Sequence, residues 1–271
     1  MLSTIQYSVV VPVYNNQAEL LRAVNSAIAQ TTPPREIIIC NDASGDPSTL
    51  DLLALLCSQY PNMVKVVSSS INQGAAATRN KGIFAASAPI IAFLDADDEW
   101  LPGKMAEQLK VFLFPEIIGC GCCTESRPPR FLDGRFLSTL SMRDLLYRNI
   151  IQPSTFVVRK QALLDVSGFN STHRYAEEGD LYLRLITRGS LVFINKQLVR
   201  YNIRSLCDGS SKDSGRLSNK TMKMYLGNIR NLYLAYGRRD IPFLQFLWHS
   251  GLIIARLLRS LLLRKARLLH R

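Results

Sequence analysis

Ile90-Ile91-Ala92-Phe93-Leu94-Asp95-Ala96-Asp97-Asp98-Glu99-Trp100 passes from an unbroken apolar run straight into a cluster of acids. A short continuous apolar run is the pattern of a strand buried on both faces. Pro102 then suits the first turn of a helix over Lys104 to Phe114. The acids therefore fall at the carboxyl end of a buried strand, the edge where open α/β sheets hold their ligands. Hard divalent cations take oxygen ligands and keep a phosphate in their shell, so Asp95 and Asp97 suit such a complex. The same acids would also suit a solvated turn and helix cap.

Outward from this stretch the pattern repeats. Apolar runs at Tyr7–Val13, Glu36–Cys40, Met63–Val67 and Ile117–Cys123 alternate with segments of helical spacing at Glu19–Gln30, Leu50–Gln59 and Ala75–Ala86. Such alternation predicts an α/β fold with a mostly parallel sheet flanked by helices. The first run ends in Pro12-Val13-Tyr14-Asn15-Asn16 and the second in Asn41-Asp42-Ala43-Ser44-Gly45-Asp46. Polar turn-formers thus gather on the same edge as the acids. Residues 124 to 150 are irregular, with Arg127-Pro128-Pro129-Arg130 and Asp133-Gly134 marking loops. Strand-like Thr155–Val158 and Ser190–Asn195 then flank a helix over Gly179–Thr187, and Ser205 to Lys220 reads as a mobile linker. The pattern divides the chain into 1–123, 124–220 as a second half of the same domain, and a helical tail, 221–271.

The 271 residues suffice for one large α/β domain or two small ones. With 47% hydrophobic and 20% charged residues, the composition excludes disordered and polytopic membrane chains. Lys and Arg outnumber Asp and Glu by 33 to 21, giving +12, a balance that favours polyanionic partners. No Lys or Arg precedes Arg22, so a secretory signal is not expected. The six cysteines show no spacing of a disulfide framework or zinc site, and Cys120-Gly121-Cys122-Cys123 reads as buried thiols in a strand.

Four segments together resemble family 2 glycosyltransferases. They are Val9-Val10-Val11-Pro12-Val13-Tyr14-Asn15-Asn16, Asn41-Asp42-Ala43-Ser44-Gly45-Asp46, Asn72-Gln73-Gly74-Ala75-Ala76-Ala77-Thr78-Arg79-Asn80 and Asp95-Ala96-Asp97-Asp98. The resemblance covers roughly residues 7 to 205 and implies a GT-A type, Rossmann-like fold and an inverting transfer from a nucleotide sugar. It implies that Pro12, Val13 and Tyr14 border the base, Tyr14 offering a stacking face. Asp42 would accept a hydrogen bond from the base, as the N3–H of uracil could supply. Arg79 would lie near the diphosphate, with Ala96 between Asp95, at ribose or metal, and Asp97, the main ligand of Mn2+ or Mg2+. Asp98 is a lesser alternative. The family's Glu-Asp pair before an L-x-L-R-L helix corresponds to Ala176-Glu177-Glu178-Gly179-Asp180-Leu181-Tyr182-Leu183-Arg184-Leu185. Glu178, standing where Asp is usual, would be the catalytic base, with Glu177 and Asp180 as rivals. Relatives often carry Tyr-Arg-x-His later on; Tyr201-Asn202-Ile203-Arg204 departs from it, leaving Arg204 or His173 as substitutes.

After Asp240 no acidic residue occurs. At helical spacing Arg256, Arg259, Ser260, Arg264, Arg267 and Arg271 share one face and Ile254, Leu257, Leu258, Leu261, Leu262, Leu268 and Leu269 the other. Ile241 to Ala255 is the longest uncharged stretch, short of the ~20 residues a spanning helix requires. A basic amphipathic helix led by Phe243, Phe246 and Trp248 reads as an in-plane anchor on an anionic membrane, or as a helix packed on protein. The expectation is a peripheral enzyme on the cytoplasmic face of a membrane. It would move a hexosyl or N-acetylhexosaminyl group, from UDP above all, to a glycan or lipid-linked acceptor in bacterial surface polysaccharide synthesis. The alternatives are a nucleotidyltransferase or other nucleotide-binding α/β enzyme, or a basic nucleic-acid-binding protein. Against these, Pro12 to Asn16 is no basic glycine loop, and the tail's basic residues lie beside leucines, so no nucleic acid partner is expected.

Overall fold

The computed structural model describes residues 5–125, 135–147, 150–201 and 214–269. In chain order the elements are β1 (Tyr7–Val13), α1 (Gln17–Ile28), β2 (Glu36–Asn41), α2 (Pro47–Gln59), β3 (Val64–Ser68), α3 (Ala75–Ala85), β4 (Ile90–Phe93), β5 (Glu99–Trp100) and α4 (Lys104–Leu109). There follow β6 (Ile117–Thr124), β7 (Leu137–Thr139), α5 (Met142–Tyr147), β8 (Val157–Arg159), α6 (Lys160–Asp165), α7 (Glu177–Leu185), β9 (Ser190–Arg200), α8 (Ser214–Gly237) and α9 (Phe243–Leu269).

The strands form one sheet in the order β3-β2-β1-β4-β8-β6-β9-β5, with β7 paired to β9. β3, β2, β1 and β4 are parallel; β8 runs against β4 and β6, and β6 is again parallel to β9. The mostly parallel sheet thus has antiparallel members only in its second half. Because both faces are covered, buried side chains alternate between two cores. Val9, Val11, Ile37 and Ile39 meet Leu20, Val24, Leu52 and Leu56 on one side. Val10, Ile38 and Phe93 meet Ile83, Leu163 and Leu181 on the other. The chain winds from β1 outward to β3 and returns to place β4 on the far side of β1. That reversal opens a crevice at the carboxyl ends of β1 and β4.

Several element bounds differ from the sequence expectation. The helix expected to reach Phe114 ends at Leu109 and tightens into a 3-10 turn over Lys110–Leu113. The segment from Thr155 begins as a 3-10 turn, Pro153–Thr155, since Pro153 presets that conformation, and is strand only over Val157–Arg159. The stretch read as a mobile linker to Lys220 is helical from Ser214, propagated from the seated part of α8. Residues 202–213, with Arg204 and Cys207, lie outside the described residues. Cys40, Cys120, Cys122 and Cys123 are free and buried, as expected.

The last two helices form a hairpin against α7. Leu183 of α7 packs with Leu232 and Ala235 of α8 and Ile241 and Ile253 beyond them. Along the opposite side of α9, Leu244, Leu247, Trp248, Ile254, Leu258 and Leu262 are exposed. Among the described residues no helix is long and apolar enough to cross a membrane.

Candidate active site

The loops after β1 and β2 are laced together. Asn15 and Ala43 both hold positive φ, 47° and 61°. Such conformations persist only where surroundings over-determine them. Here the Asn15 Oδ1 accepts backbone N–H groups of Gly45 (2.9 Å) and Asp46 (3.2 Å), and the Asn15 N–H donates to Ser44 Oγ (3.0 Å). Tyr14 emerges from this frame with 53% of its surface exposed, beside partly buried Pro12 and buried Val13. Asp42 is buried, its two oxygens accepting the N–H groups of Gln73 (2.9 Å) and Gly74 (2.8 Å). Gly74 stands at φ 86°, a turn that a side chain would strain, and so opens α3 directly above Asp42. A carboxylate offers about four acceptor sites, so Asp42 retains capacity for a further donor.

The acids after β4 are held by a serine that their spacing does not reveal. Ser154 Oγ accepts the Asp95 N–H (2.9 Å) and donates to Asp98 (2.5 Å), while its carbonyl accepts the Trp100 indole N–H (2.9 Å). Asp98, only 2% exposed, is thereby an inward anchor of the loop, its burial removing it from the edge where a ligand would sit. Asp95 and Asp97 stay partly exposed there, with Ala96 buried between them. Among the described residues no three His, Cys, Asp or Glu side chains cluster as a closed metal cage. Two carboxylates at an open edge fit Mg2+ or Mn2+ completing its shell with phosphate and water.

Arg79 joins the two halves of the site. Its guanidinium, carried by α3, donates to Asp95 (2.6 Å) and to Glu177 (3.1 Å), and the side chain is 5% exposed. Burial opposes its charge, but the Asp95 and Glu177 carboxylates outweigh this and raise its pKa further. The fork expected to grip a diphosphate thus holds two carboxylates. The buried Tyr182 ring lies beside the same group; burial, then the Glu178 charge, push its hydroxyl pKa well up.

The acidic run opens α7. Ala176, at φ 56°, turns the chain so that Glu177 meets Arg79. Asp180 is 1% exposed and held by Arg184 (2.9 Å) and Arg238 (3.1 Å). Glu178 instead lines a cavity between α5, α7, α8 and α9. The turn is backed by α8: Asn231 Nδ2 donates to the Ala176 carbonyl (2.7 Å). Gly227 admits this approach, since a Cβ there would stand 2.8 Å from the Tyr175 carbonyl oxygen. His173 is buried with a ring nitrogen 3.2 Å from Asn170 Nδ2; burial, then the Arg230 charge, lower its pKa. Ser154, Gly227 and Asn231 escaped sequence reasoning because each serves the site from another element, and Tyr182, on α7 itself, because spacing does not show which side chains turn toward Arg79; only Pro153 before Ser154 marked a special turn.

Known proteins are similar to this chain in sequence and in fold. The chain is 26% identical over 189 residues to the UDP-Glc:alpha-D-GlcNAc-diphosphoundecaprenol beta-1,3-glucosyltransferase WfgD of Escherichia coli, covering 69% of this chain and 72% of that one. It is 39% identical over 112 residues to an uncharacterized glycosyltransferase of Nostoc, alr2836, covering 41% of this chain but 34% of that protein. The matches therefore span from about a third to nearly three quarters of these relatives' lengths. The mannosyltransferase PcManGT of Pyrobaculum calidifontis, solved with GDP-Man and Mn2+, shares the fold with TM-score 0.67 at 17% identity, over 98% of this chain and 81% of that one. Staphylococcus aureus TarS 1-349 with UDP-GlcNAc does so at TM-score 0.64 and 19% identity, over 93% and 71%. The family profile "Glycosyl transferase family 2" matches residues 8–174, more than half of the chain, which therefore belongs to that family of glycosyltransferases.

Proposed function

We propose that this enzyme transfers a sugar, with inversion, from a nucleoside diphosphate donor to a hydroxyl of a glycan or lipid-linked glycan acceptor. The observation that carries this reading is the bridge Asp95–Arg79–Glu177, which ties the acids at the sheet edge to the acidic turn of α7. Tyr14 stacks on the base and Asp42, locked by two backbone amides, accepts its N–H; UDP is the donor that such an acceptor suits. Asp97 and Asp95 would hold a divalent cation, which would offset negative charge growing on the leaving diphosphate. Glu178 takes the proton of the acceptor hydroxyl as its oxygen bonds to the anomeric carbon and the carbon–diphosphate bond breaks. Arg79 braces both carboxylate sets and keeps Glu177 from competing as base. Asp180, paired twice, anchors the helix.

WfgD, by its name a glucosyltransferase acting on a diphosphoundecaprenol-linked sugar, supports a lipid-linked acceptor of the kind that bacterial surface polysaccharide synthesis would use. The exposed apolar stripe of α9, flanked by Arg256 and Arg259, supports a peripheral seat on the cytoplasmic face of an anionic membrane. The testing experiment is a screen of nucleotide sugars, with and without Mn2+, that follows nucleotide release in the presence of lipid-linked glycans. Release from a UDP-sugar that requires metal and is lost in Asp97→Ala is the expected result. Full turnover in chelator would overturn the metal assignment.

A further inference from the structure

Ser154 stands in the 3-10 turn Pro153–Thr155, yet its hydroxyl does not serve that turn. The turn closes through Thr155, whose Oγ1 donates to the Gln152 carbonyl (2.8 Å) and accepts the Gln152 N–H (3.2 Å). The Ser154 hydroxyl is spent instead on the loop after β4, accepting the Asp95 N–H and donating to the Asp98 carboxylate. That sense is fixed, because a backbone N–H can only donate. The Asp98 N–H returns to the Asp95 carbonyl (3.1 Å) and closes the same turn from within. One oxygen of a fully buried residue thus ties together the two ends of Asp95-Ala96-Asp97-Asp98. A small divalent cation tolerates little error in the placing of its oxygens. A turn held at both ends leaves little to order when the ion binds, and hydrogen bonds behind metal ligands are typically worth about 10–100-fold in affinity.

We propose that Ser154 is a positioning residue for the cation: by gripping the Asp95–Asp98 turn at both ends it sets how tightly Asp95 and Asp97 take a divalent metal. The inference rests on the metal assignment made above. It gives Asp98 a part as well, since a carboxylate that is 2% exposed serves the ion by shaping the turn and not by touching it. Ser154 lies just before β8, the strand that pairs with β4. The neighbour of β4 in the sheet therefore carries the brace for the edge at which the acids stand.

Titration with Mn2+ at saturating UDP, the free ion read by EPR, tests this, and calorimetric titration of the same samples with UDP in chelator reports the donor half. Ser154→Ala should weaken Mn2+ at least tenfold while UDP affinity in chelator stays within twofold. Ser154→Cys, nearly isosteric and a poor hydrogen-bond partner, gives the same reading where the alanine variant does not fold. Asp98→Ala removes the other end of the same bond, so it should match Ser154→Ala, and the double variant should lose no more than either. Unchanged Mn2+ affinity in the Ser154 variants overturns the inference. So do losses that add in the double variant, which would mean that Asp98 meets the ion on its own, and a loss that UDP in chelator shares, which would mark general damage to the crevice. If the wild type binds UDP but no Mn2+, the metal assignment falls and takes this inference with it while the donor reading stands; if it binds neither, the donor reading falls too.

Discussion

Glu178 and Asp180 share the first turn of α7, yet their surroundings give them opposite duties. Asp180 is clasped by Arg184 and Arg238, whereas Glu178 faces the cavity. Glu178→Gln keeps shape and hydrogen bonding but cannot take a proton, so transfer should fall by roughly 10²–10⁴ with UDP affinity retained. Asp180→Asn should instead cost about 3 kcal/mol in urea unfolding, because two arginines lose their buried counter-charge. An inactive but stable Asp180→Asn beside an active Glu178→Gln would reverse the two assignments. Lys104 offers a second test at this scale. It is fully buried, its ammonium 4.0 Å from the Trp100 ring, and burial lowers its pKa to about 8. The folded state therefore releases a proton that the unfolded chain keeps until its ordinary value near 10.5. Stability from this group rises with pH between those two values, and below them the charged lysine is a net burden. Lys104→Met should raise stability at pH 7 by up to about 3 kcal/mol and remove that rise, as denaturation at pH 7 and 9.5 would report.

At the scale of elements, α9 has two faces with separate consequences. Ile253 packs toward Leu183 and Leu232, so cutting the chain before α9 would strip the cover from α7 as well as remove any anchor. The exposed stripe can be tested without that damage. Trp248 and Leu258 are 67% and 54% exposed, so Trp248→Glu with Leu258→Glu should leave the melting temperature within about 2 °C. Removing two buried apolar side chains from a bilayer should lower binding to phosphatidylglycerol vesicles by roughly a hundredfold or more. Unchanged sedimentation with vesicles would make the stripe a protein-packing face. Apart from the two-residue β5, the strands and helices up to β6 were legible in the sequence because a parallel sheet writes its burial as continuous apolar runs, such as Val9-Val10-Val11 and Ile37-Ile38-Ile39. The placement of Glu178 relative to Asp95 was not, since it depends on Arg79 reaching a residue far along the chain and on Asn231 pressing from a helix with no motif of its own. Asp98 stood as a lesser alternative for the same reason: spacing shows that acids are adjacent but not that Ser154 turns one of them inward.

Across the whole molecule the two halves meet in one guanidinium. The parallel half supplies Asp95 at the end of β4 and Arg79 on α3; the second half supplies Glu177 at the start of α7. Each carboxylate is a cost to the buried crevice unless it is paired, and Arg79 pairs both. Arg79→Met removes that counter-charge and leaves Asp95 and Glu177 without their shared partner. Breaking a buried pair from one side typically costs 3–5 kcal/mol, so the variant should be destabilised by about that amount at neutral pH. Its pH dependence separates this cause from simple loss of packing. With no cation between them, the like charges in the folded variant repel, and a proton taken up there relieves the repulsion. The folded state then binds more protons than the unfolded state, so the variant's stability rises as pH falls toward about 5. Urea unfolding of the variant and wild type at pH 7.5 and 5 should show the gap between them narrowing on acidification. A gap of the same size at both pH values would mean that Arg79 supports the fold by its contact with Phe169, whose ring centre lies 5.5 Å from its guanidinium carbon, and that the two acidic segments do not need it as their common charge.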